Sequence, residues 1–159
     1  MLADIAQAYH SLIDEGRITP DPNQTAAVDA LLRLETQLED HARPRLFRQS
    51  DIRGLYLWGP PGRGKSLLMD LFFRTVSVRK KRRAHFHAFM AQVHDRIRVW
   101  RAEDRAARKA LFGTSRGDDP IAPLAKLIAS EARLLCFDEL QVTDIADAMI
   151  LGRLFEHLF

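Results

Sequence analysis

One cysteine, Cys136, stands in the 159 residues of the chain. A single thiol excludes any disulfide within the chain and points to a reducing compartment. Long apolar runs are missing too: none approaches the ~20 residues that a membrane-crossing helix needs. The opening residues Met1-Leu2-Ala3-Asp4 hold neither a basic stretch nor an apolar one, and Asp4, Asp14 and Glu15 lie where a mitochondrial transit peptide is poor in acids. The expected location is therefore cytoplasmic, with at most a peripheral contact to a membrane. Charge of one sign is scarce as well. Against 21 acidic side chains stand 24 basic ones, a net +3, and that excess is too small to make nucleic acid the expected main partner. No internal repeat and no low-complexity segment is visible. What remains is the balance of a globular protein, 47% hydrophobic and 28% charged, in a chain long enough to bury a sizeable core.

Apolar spacing divides the chain. Leu2, Ile5, Ala6, Tyr9, Leu12 and Ile13 recur at helical intervals, so residues 2–15 read as an amphipathic helix that Gly16 ends. Asp21 before Pro22 is an N-cap followed by proline at the first helical position, and Val28, Leu31, Leu32, Leu34 and Leu38 carry that helix to about Asp40. His41 to Arg53 is basic, contains Pro44 and reads as a connector. Gly54-Leu55-Tyr56-Leu57-Trp58 fits a buried strand. Gly59 to Gly64 is a turn, and Lys65 to about Thr75 is a helix with Leu67, Leu68, Leu71 and Phe72 on it. The basic run Arg79 to Arg83 leads into Ala84-His85-Phe86-His87-Ala88-Phe89, expected to be a second strand passing into a long helix through Val93, Ile97, Trp100 and on to Leu111. After a loop from Gly113 to Asp119, Pro120 opens a helix to about Ala132. Leu134-Leu135-Cys136-Phe137 is a third buried strand. Thr143-Asp144 caps a last helix whose inner face is expected to hold Ile145, Met149, Leu154 and Leu158. Strands alternating with helices predict an α/β protein with a parallel sheet and helical crossovers. Leu158-Phe159 would end exposed, with no polar tail after it, so the chain is expected to be cut short.

Two segments carry chemistry. Gly59-Pro60-Pro61-Gly62-Arg63-Gly64-Lys65-Ser66 matches the pattern G-x-x-x-x-G-K-[ST]. Glycines let the backbone curl until several N–H groups face one anion, and the following helix adds its positive end. Lys65 would set an ammonium on the β- and γ-phosphates of ATP, and Ser66 would give its hydroxyl to Mg²⁺. At average composition such a match arises by chance in roughly one chain of this length in a few hundred; a strand before it and a helix after it sharpen the signal. The second segment is Leu134 to Glu139. An apolar strand delivers Asp138 at its end, to hold Mg²⁺ through water, and Glu139 follows, to orient and deprotonate the attacking water. The 72 residues from Ser66 to Asp138 leave room for a strand and several helices. An Asp-Glu pair favours hydrolysis over transfer to a small acceptor.

Other residues allow several readings. His85 and His87 alternate about Phe86 and would share one strand face, packed or hydrogen-bonded there, with a metal site or the sensing of nucleotide or partner as alternatives. Arg79-Lys80-Lys81-Arg82-Arg83 reads as a solvated turn, or else as a contact for nucleic-acid phosphates or an acidic membrane surface. Trp58 and Trp100 are expected to pack, and Cys136, inside an apolar strand, to be inert. Gln24 is either a solvent-facing helix residue or one that approaches an adenine.

In combination these blocks resemble the AFG1/ZapE-like family of AAA+-type P-loop ATPases, named for a bacterial cell-division protein. The resemblance rests on Gly54 to Gly59, on Gly62 to Ser66 with Met69-Asp70-Leu71-Phe72-Phe73, and on His85 to Met90 with Val93-His94. It rests also on Cys136-Phe137-Asp138-Glu139 with Gln141 to Gly152. It implies an AAA+-like three-layer sandwich, here incomplete at the C-terminus, with residues 1–50 as a helical region and connector and 51–159 as the N-terminal part of the P-loop domain. It implies Mg-dependent hydrolysis of ATP to ADP and phosphate, coupled to remodelling of a protein partner, in bacteria a component of the division ring, and the possibility of a homo-oligomer. Gly59, Pro60, Pro61, Gly62, Arg63, Gly64, Lys65 and Ser66 then bind nucleotide, Ser66 and Asp138 serve magnesium, and Lys65 and Glu139 are catalytic. Leu140 departs from a frequent phenylalanine. The larger departure is length. Family members continue beyond this point with a sensor strand, an arginine finger and further strands, one of which lies between the strands at 54–58 and 133–137. Without it those two strands are expected to leave a gap or to pair directly, and the chain to bind ATP weakly and hydrolyse it poorly. A partner-binding fragment without chemistry and a nucleic-acid-dependent P-loop ATPase are the alternatives.

Overall fold

The structure, a computed structural model, describes residues 4–42, 52–114 and 116–158. It forms two compact units, Met1–Arg79 and Lys80–Phe159. Most of the expected connector, the first residues of the expected first helix, and Phe159 lie outside the described residues.

In the first unit, α1 (Ile5–Asp14), α2 (Pro22–Ala42) and α3 (Lys65–Thr75) are helices where the spacing predicts them. Their starts are chemically marked. Asp4 Oδ1 accepts from Gln7 N at 2.8 Å, and Asp21 Oδ1 from Asn23 N at 2.8 Å, each satisfying an amide that the helix itself cannot. Ile5 and Tyr9 of α1, Val28, Leu31 and Leu38 of α2, and Leu68, Leu71 and Phe72 of α3 are buried, as is Val76 just beyond. One charge-bearing side chain is buried with them. Glu35, 4% exposed, accepts the Ile5 amide at 3.2 Å. Burial pushes its carboxyl above the ordinary glutamate range, and the hydrogen bonds from Ile5 and Thr75 only partly offset that.

Gly54 to Trp58 does not form the expected strand: residues 52–60 have no regular structure and pair with no strand among the described residues. Leu55 and Tyr56 are exposed, and Trp58 is 83% exposed rather than packed. The segment is apolar enough for a sheet interior, but a ladder requires a neighbour to take its N–H and C=O groups.

The second unit is built on a parallel pair. β1 (Lys81–His85) and β2 (Leu134–Asp138) run in register from Lys81↔Leu134 to His85↔Asp138. Between them come α4 (Phe86–Ala102), α5 (Arg105–Phe112) and α6 (Ile121–Glu131), and α7 (Ile145–Leu158) follows β2. The parallel sheet with helical crossovers is thus present, as two strands. Phe86, Phe89, Met90, Val93 and Ile97 of α4 join Leu124 and Ile128 of α6 and Leu151 and Leu154 of α7 in one core, and Phe137 of β2 meets Phe89 at 4.7 Å between ring centres.

Four expectations are corrected here. The strand occupies Lys81–His85, not Ala84–Phe89, because Phe86, Phe89, Met90 and Val93 repeat at helical spacing and are needed in the core. Of the basic run, Arg79 and Lys80 form an exposed bend before the strand, as expected, while Lys81 to Arg83 belong to the strand itself. Lys80 Nζ donates to Ser130 O at 2.8 Å, Arg82 pairs with Glu131, and Arg83 with Asp138. The helix after it stops at Ala102; Asp104 caps a separate α5 by accepting from Ala107 N at 2.9 Å, and Leu111 on α5 is exposed. On α7 the buried face is Leu151 and Leu154, while Ile145 and Met149 are 80% and 67% exposed. Trp100 packs as expected, edge-on to Phe112 at 5.2 Å.

Candidate functional site

The turn before α3 differs from the starts of α1, α2, α5 and α7. Asp4, Asp21, Asp104 and Asp144 each turn a carboxylate onto the amides of the helix they precede. The N-cap of α3 is Gly64, left-handed at φ 82°, with no side chain to do the same. Its carbonyl accepts from Leu68 N at 3.0 Å, which closes the first helical turn. The amides of Lys65, Ser66 and Leu67 precede that bond and so have no acceptor within the helix. Gly62 is left-handed as well, at φ 75°, a conformation that costs an L residue about 1–2 kcal/mol. A helix start with open amides and a positive end is an anion site in waiting.

Lys65 completes the loop. Its Nζ donates to Gly59 O and to Pro60 O, both at 2.8 Å. An ammonium has three donors; two draw the loop's first residues back over the start of the helix, and the third is left for an anion. Ser66 lies exposed in the first turn of α3. Beside the loop lies a cavity of about 80 Å³, lined by Leu57, Trp58, Ala27 and Leu68 on its apolar side and by Asp21, Asn23, Gln24, Arg63 and Lys65 on its polar side. Gln24 is not the solvent-facing helix residue expected: its Nε2 donates to Arg63 O at 3.2 Å and its Oε1 accepts from Tyr9 at 3.1 Å. The signal for this contact was present in Tyr9, a buried phenol on the apolar face of α1, since a buried Tyr O–H ordinarily finds a partner.

In the second unit, β2 carries Asp138 at its C-terminal end, and Glu139 follows. The Asp138 side chain is 12% exposed and meets Arg83, whose Nε and NH2 both lie 2.7 Å from Oδ2. Arg83 stands on the adjacent strand two positions before the residue in register with Asp138. Glu139 is exposed and sits at φ 55°, the one non-glycine residue at positive φ among the described residues. Such strain costs on the order of 1–3 kcal/mol and collects at functional sites. Cys136 is buried, and burial pushes its thiol up to about 11; it carries no thiolate at neutral pH and is inert, as expected. His85 ends β1 and His87 lies in the first turn of α4, so they do not alternate on a strand face. Their rings stack at 5.8 Å, and among the described residues no group of three or more His, Cys, Asp or Glu is placed to hold a metal.

The structure thus gathers Gly59 to Ser66 into one loop in Met1–Arg79, and Asp138 and Glu139 onto one strand end in Lys80–Phe159. Comparison with known proteins gives the class. The chain belongs to the AFG1-like ATPase family, whose model matches residues 4–159. It is 35% identical to the cell division protein ZapE of Escherichia coli (strain K12) over 169 residues, which cover 95% of this chain and 41% of that protein. It is 46% identical to the lactation elevated protein 1 homolog B of Danio rerio over 125 residues, 79% of this chain and 23% of that one. An uncharacterized protein of Schizosaccharomyces pombe, C115.02c, is 34% identical over 189 residues, 96% of this chain and 39% of its own length. The chain therefore spans less than half the length of these relatives. No solved structure matches it significantly. No helix among the described residues is long and apolar enough to cross a membrane.

Proposed function

We propose that Gly59 to Ser66 bind the phosphates of Mg·ATP, and that the chain is part of an ATPase that hydrolyses ATP to ADP and phosphate. The observation that carries this reading is the start of α3: an uncapped run of amides behind a left-handed glycine, with Lys65 folded back onto the carbonyls of Gly59 and Pro60. These groups suit a polyphosphate. Amides and an ammonium are donors only, the helix end is positive, and the glycine backbone leaves room for close approach. Ser66 and Asp138 are hard oxygen donors of the kind magnesium takes; Ser66 would give its hydroxyl to the ion and Asp138 would support it through water. Bound magnesium would neutralise charge on the phosphates. Glu139 would orient and deprotonate the attacking water, and Lys65 would stabilise charge as it develops on the transferred group.

Family membership extends the proposal. The fold of the whole protein would be the AAA+-like three-layer sandwich, and hydrolysis would drive remodelling of a protein partner. ZapE is named as a cell division protein, and a division-ring component is the partner class this suggests; a homo-oligomer is part of the same reading. The cytoplasm is the proposed location, with at most peripheral membrane contact. Nucleic acid is left out, and support for that comes from the basic run, where Lys80, Arg82 and Arg83 each already have a partner within the second unit. Because Gly54 to Trp58 has no strand neighbour among the described residues, this chain by itself would bind ATP weakly and turn it over poorly.

Calorimetry with Mg·ATP tests the core of the reading. Wild type should give binding heat that chelation of magnesium diminishes, and Lys65→Ala should weaken binding about a hundredfold, the loss of charge-assisted hydrogen bonds. Equal affinity in the two proteins would sink it.

A further inference from the structure

We propose that Tyr9 and Gln24 form a clamp that sets the shape of the phosphate-binding loop and couples α1 to its occupancy. The inference rests on the nucleotide reading above and adds a means of regulating that site.

Arg63 O can only accept, so the Gln24 group facing it at 3.2 Å must be the amide nitrogen. That choice turns Oε1 toward Tyr9, whose hydroxyl donates at 3.1 Å. The two bonds therefore fix each other's direction: a phenol on α1, an amide on α2 and a carbonyl in the loop stand in one chain. Tyr9 cannot drift, because it is almost fully buried beside Ile5 on the inner face of α1. The amide also lies close over the loop backbone. A Cβ placed on Gly64 would meet Gln24 Nε2 at 2.7 Å, so the glycine both adopts its left-handed φ and admits the clamp. Arg63 and Gly64 are the last residues before the open amides of α3. Holding the Arg63 carbonyl fixes the peptide plane it shares with the Gly64 amide and hence the direction in which the loop's donors point. The outer face of α1, with Gln7, His10 and Ser11, is exposed. A ligand or protein that shifts α1 would thus act on the loop through Tyr9, and by linkage a nucleotide in the loop would steady α1.

Tyr9 and Gln24 are positioning residues in this scheme, and neither needs to touch nucleotide. Amide exchange and calorimetry with Mg·ATP on the chain test it. Without nucleotide, Gln24→Ala should speed exchange at Leu68, whose amide closes the first turn of α3 on the Gly64 carbonyl, about tenfold and Tyr9→Phe about threefold, the range for one lost and one weakened hydrogen bond. Exchange at Leu71 to Thr75, in the last turns of α3, should stay as in wild type, which separates a released loop from a loosened unit. With Mg·ATP, exchange across Ile5–Asp14 should slow in wild type and not in Gln24→Ala. Exchange at Leu68 unchanged by Gln24→Ala overturns the clamp. A loosened loop with α1 still steadied equally by Mg·ATP in both proteins overturns the coupling. A wild type that gives no heat with Mg·ATP, while its loop depends on Gln24, supports the clamp and overturns the nucleotide reading together with the coupling.

Discussion

Leu134–Asp138 and Gly54–Trp58 are both short apolar segments that run into a chemically loaded turn, yet their surroundings are opposite. The first is paired along its length with Lys81–His85, and its Phe137 packs on Phe89. The second has no ladder among the described residues and leaves Trp58 in solvent. The loop from Gly59 to Ser66 nevertheless forms after the unpaired segment, with its left-handed glycines and its lysine in place. The difference separates what is local from what is not. A loop closed by its own lysine and a helix started by its own residues need only neighbours in sequence. A strand needs a neighbour in space.

The comparison can be broken hardest in the second unit. Leu154 is fully buried in the core shared by α4, α6 and α7. Leu154→Ala should cost about 2–5 kcal/mol, the transfer of the lost methyls plus the cavity left behind, read from denaturant unfolding. A loss under about 1 kcal/mol would show that this core is not close-packed, and the contrast between the paired and unpaired segments would lose its basis.

The same division explains what could be read from the residues alone. Helix positions in the first unit follow from apolar spacing and, for α2, from Asp21, whose carboxylate acts within three residues. Gly59 to Ser66 was legible for the same reason, as was the pairing of Asp138 with a strand end. What was not legible depends on partners far along the chain. Lys81 to Arg83 look solvated until Glu131 and Asp138 are seen to take Arg82 and Arg83, after which the long aliphatic stems can flank a strand. Ile145 and Met149 have the spacing of a buried face, but α7 turns Leu151 and Leu154 inward instead. Gln24 carries no sign in its own segment that Arg63, 39 residues later, will take its amide.

Glu35 gives a smaller and pH-dependent probe, confined to the first unit. Its folded carboxyl titrates above its unfolded value, chiefly because it is buried. The folded state therefore holds the extra proton between the two values, and its stability is largest below the unfolded pKa, roughly pH 4–5, and falls as pH rises through the folded one. Glu35→Gln keeps an oxygen for the Ile5 amide and removes the titration. Thermal unfolding across pH 4–8 should show the variant gaining on wild type as pH rises, with the gain levelling once pH has passed the folded pKa. A gap that narrows with pH would mean that the hydrogen bonds from Ile5 and Thr75 outweigh burial.

The smallest expected effect is the most direct measure of the unpaired segment. Trp58 is 83% exposed, so Trp58→Ser should change stability by no more than about 0.5 kcal/mol, as surface substitutions do. In a Trp100→Phe background, where Trp58 is the remaining indole, its fluorescence should be quenched readily by iodide. If Trp58→Ser instead destabilises the chain by more than about 1 kcal/mol, or the indole resists quenching, then Gly54 to Trp58 is covered in solution. An aromatic side chain that buries on the order of 150–250 Å² cannot be both shielded and dispensable, so the two measurements must agree. Their agreement decides whether this segment waits for a neighbour or already has one.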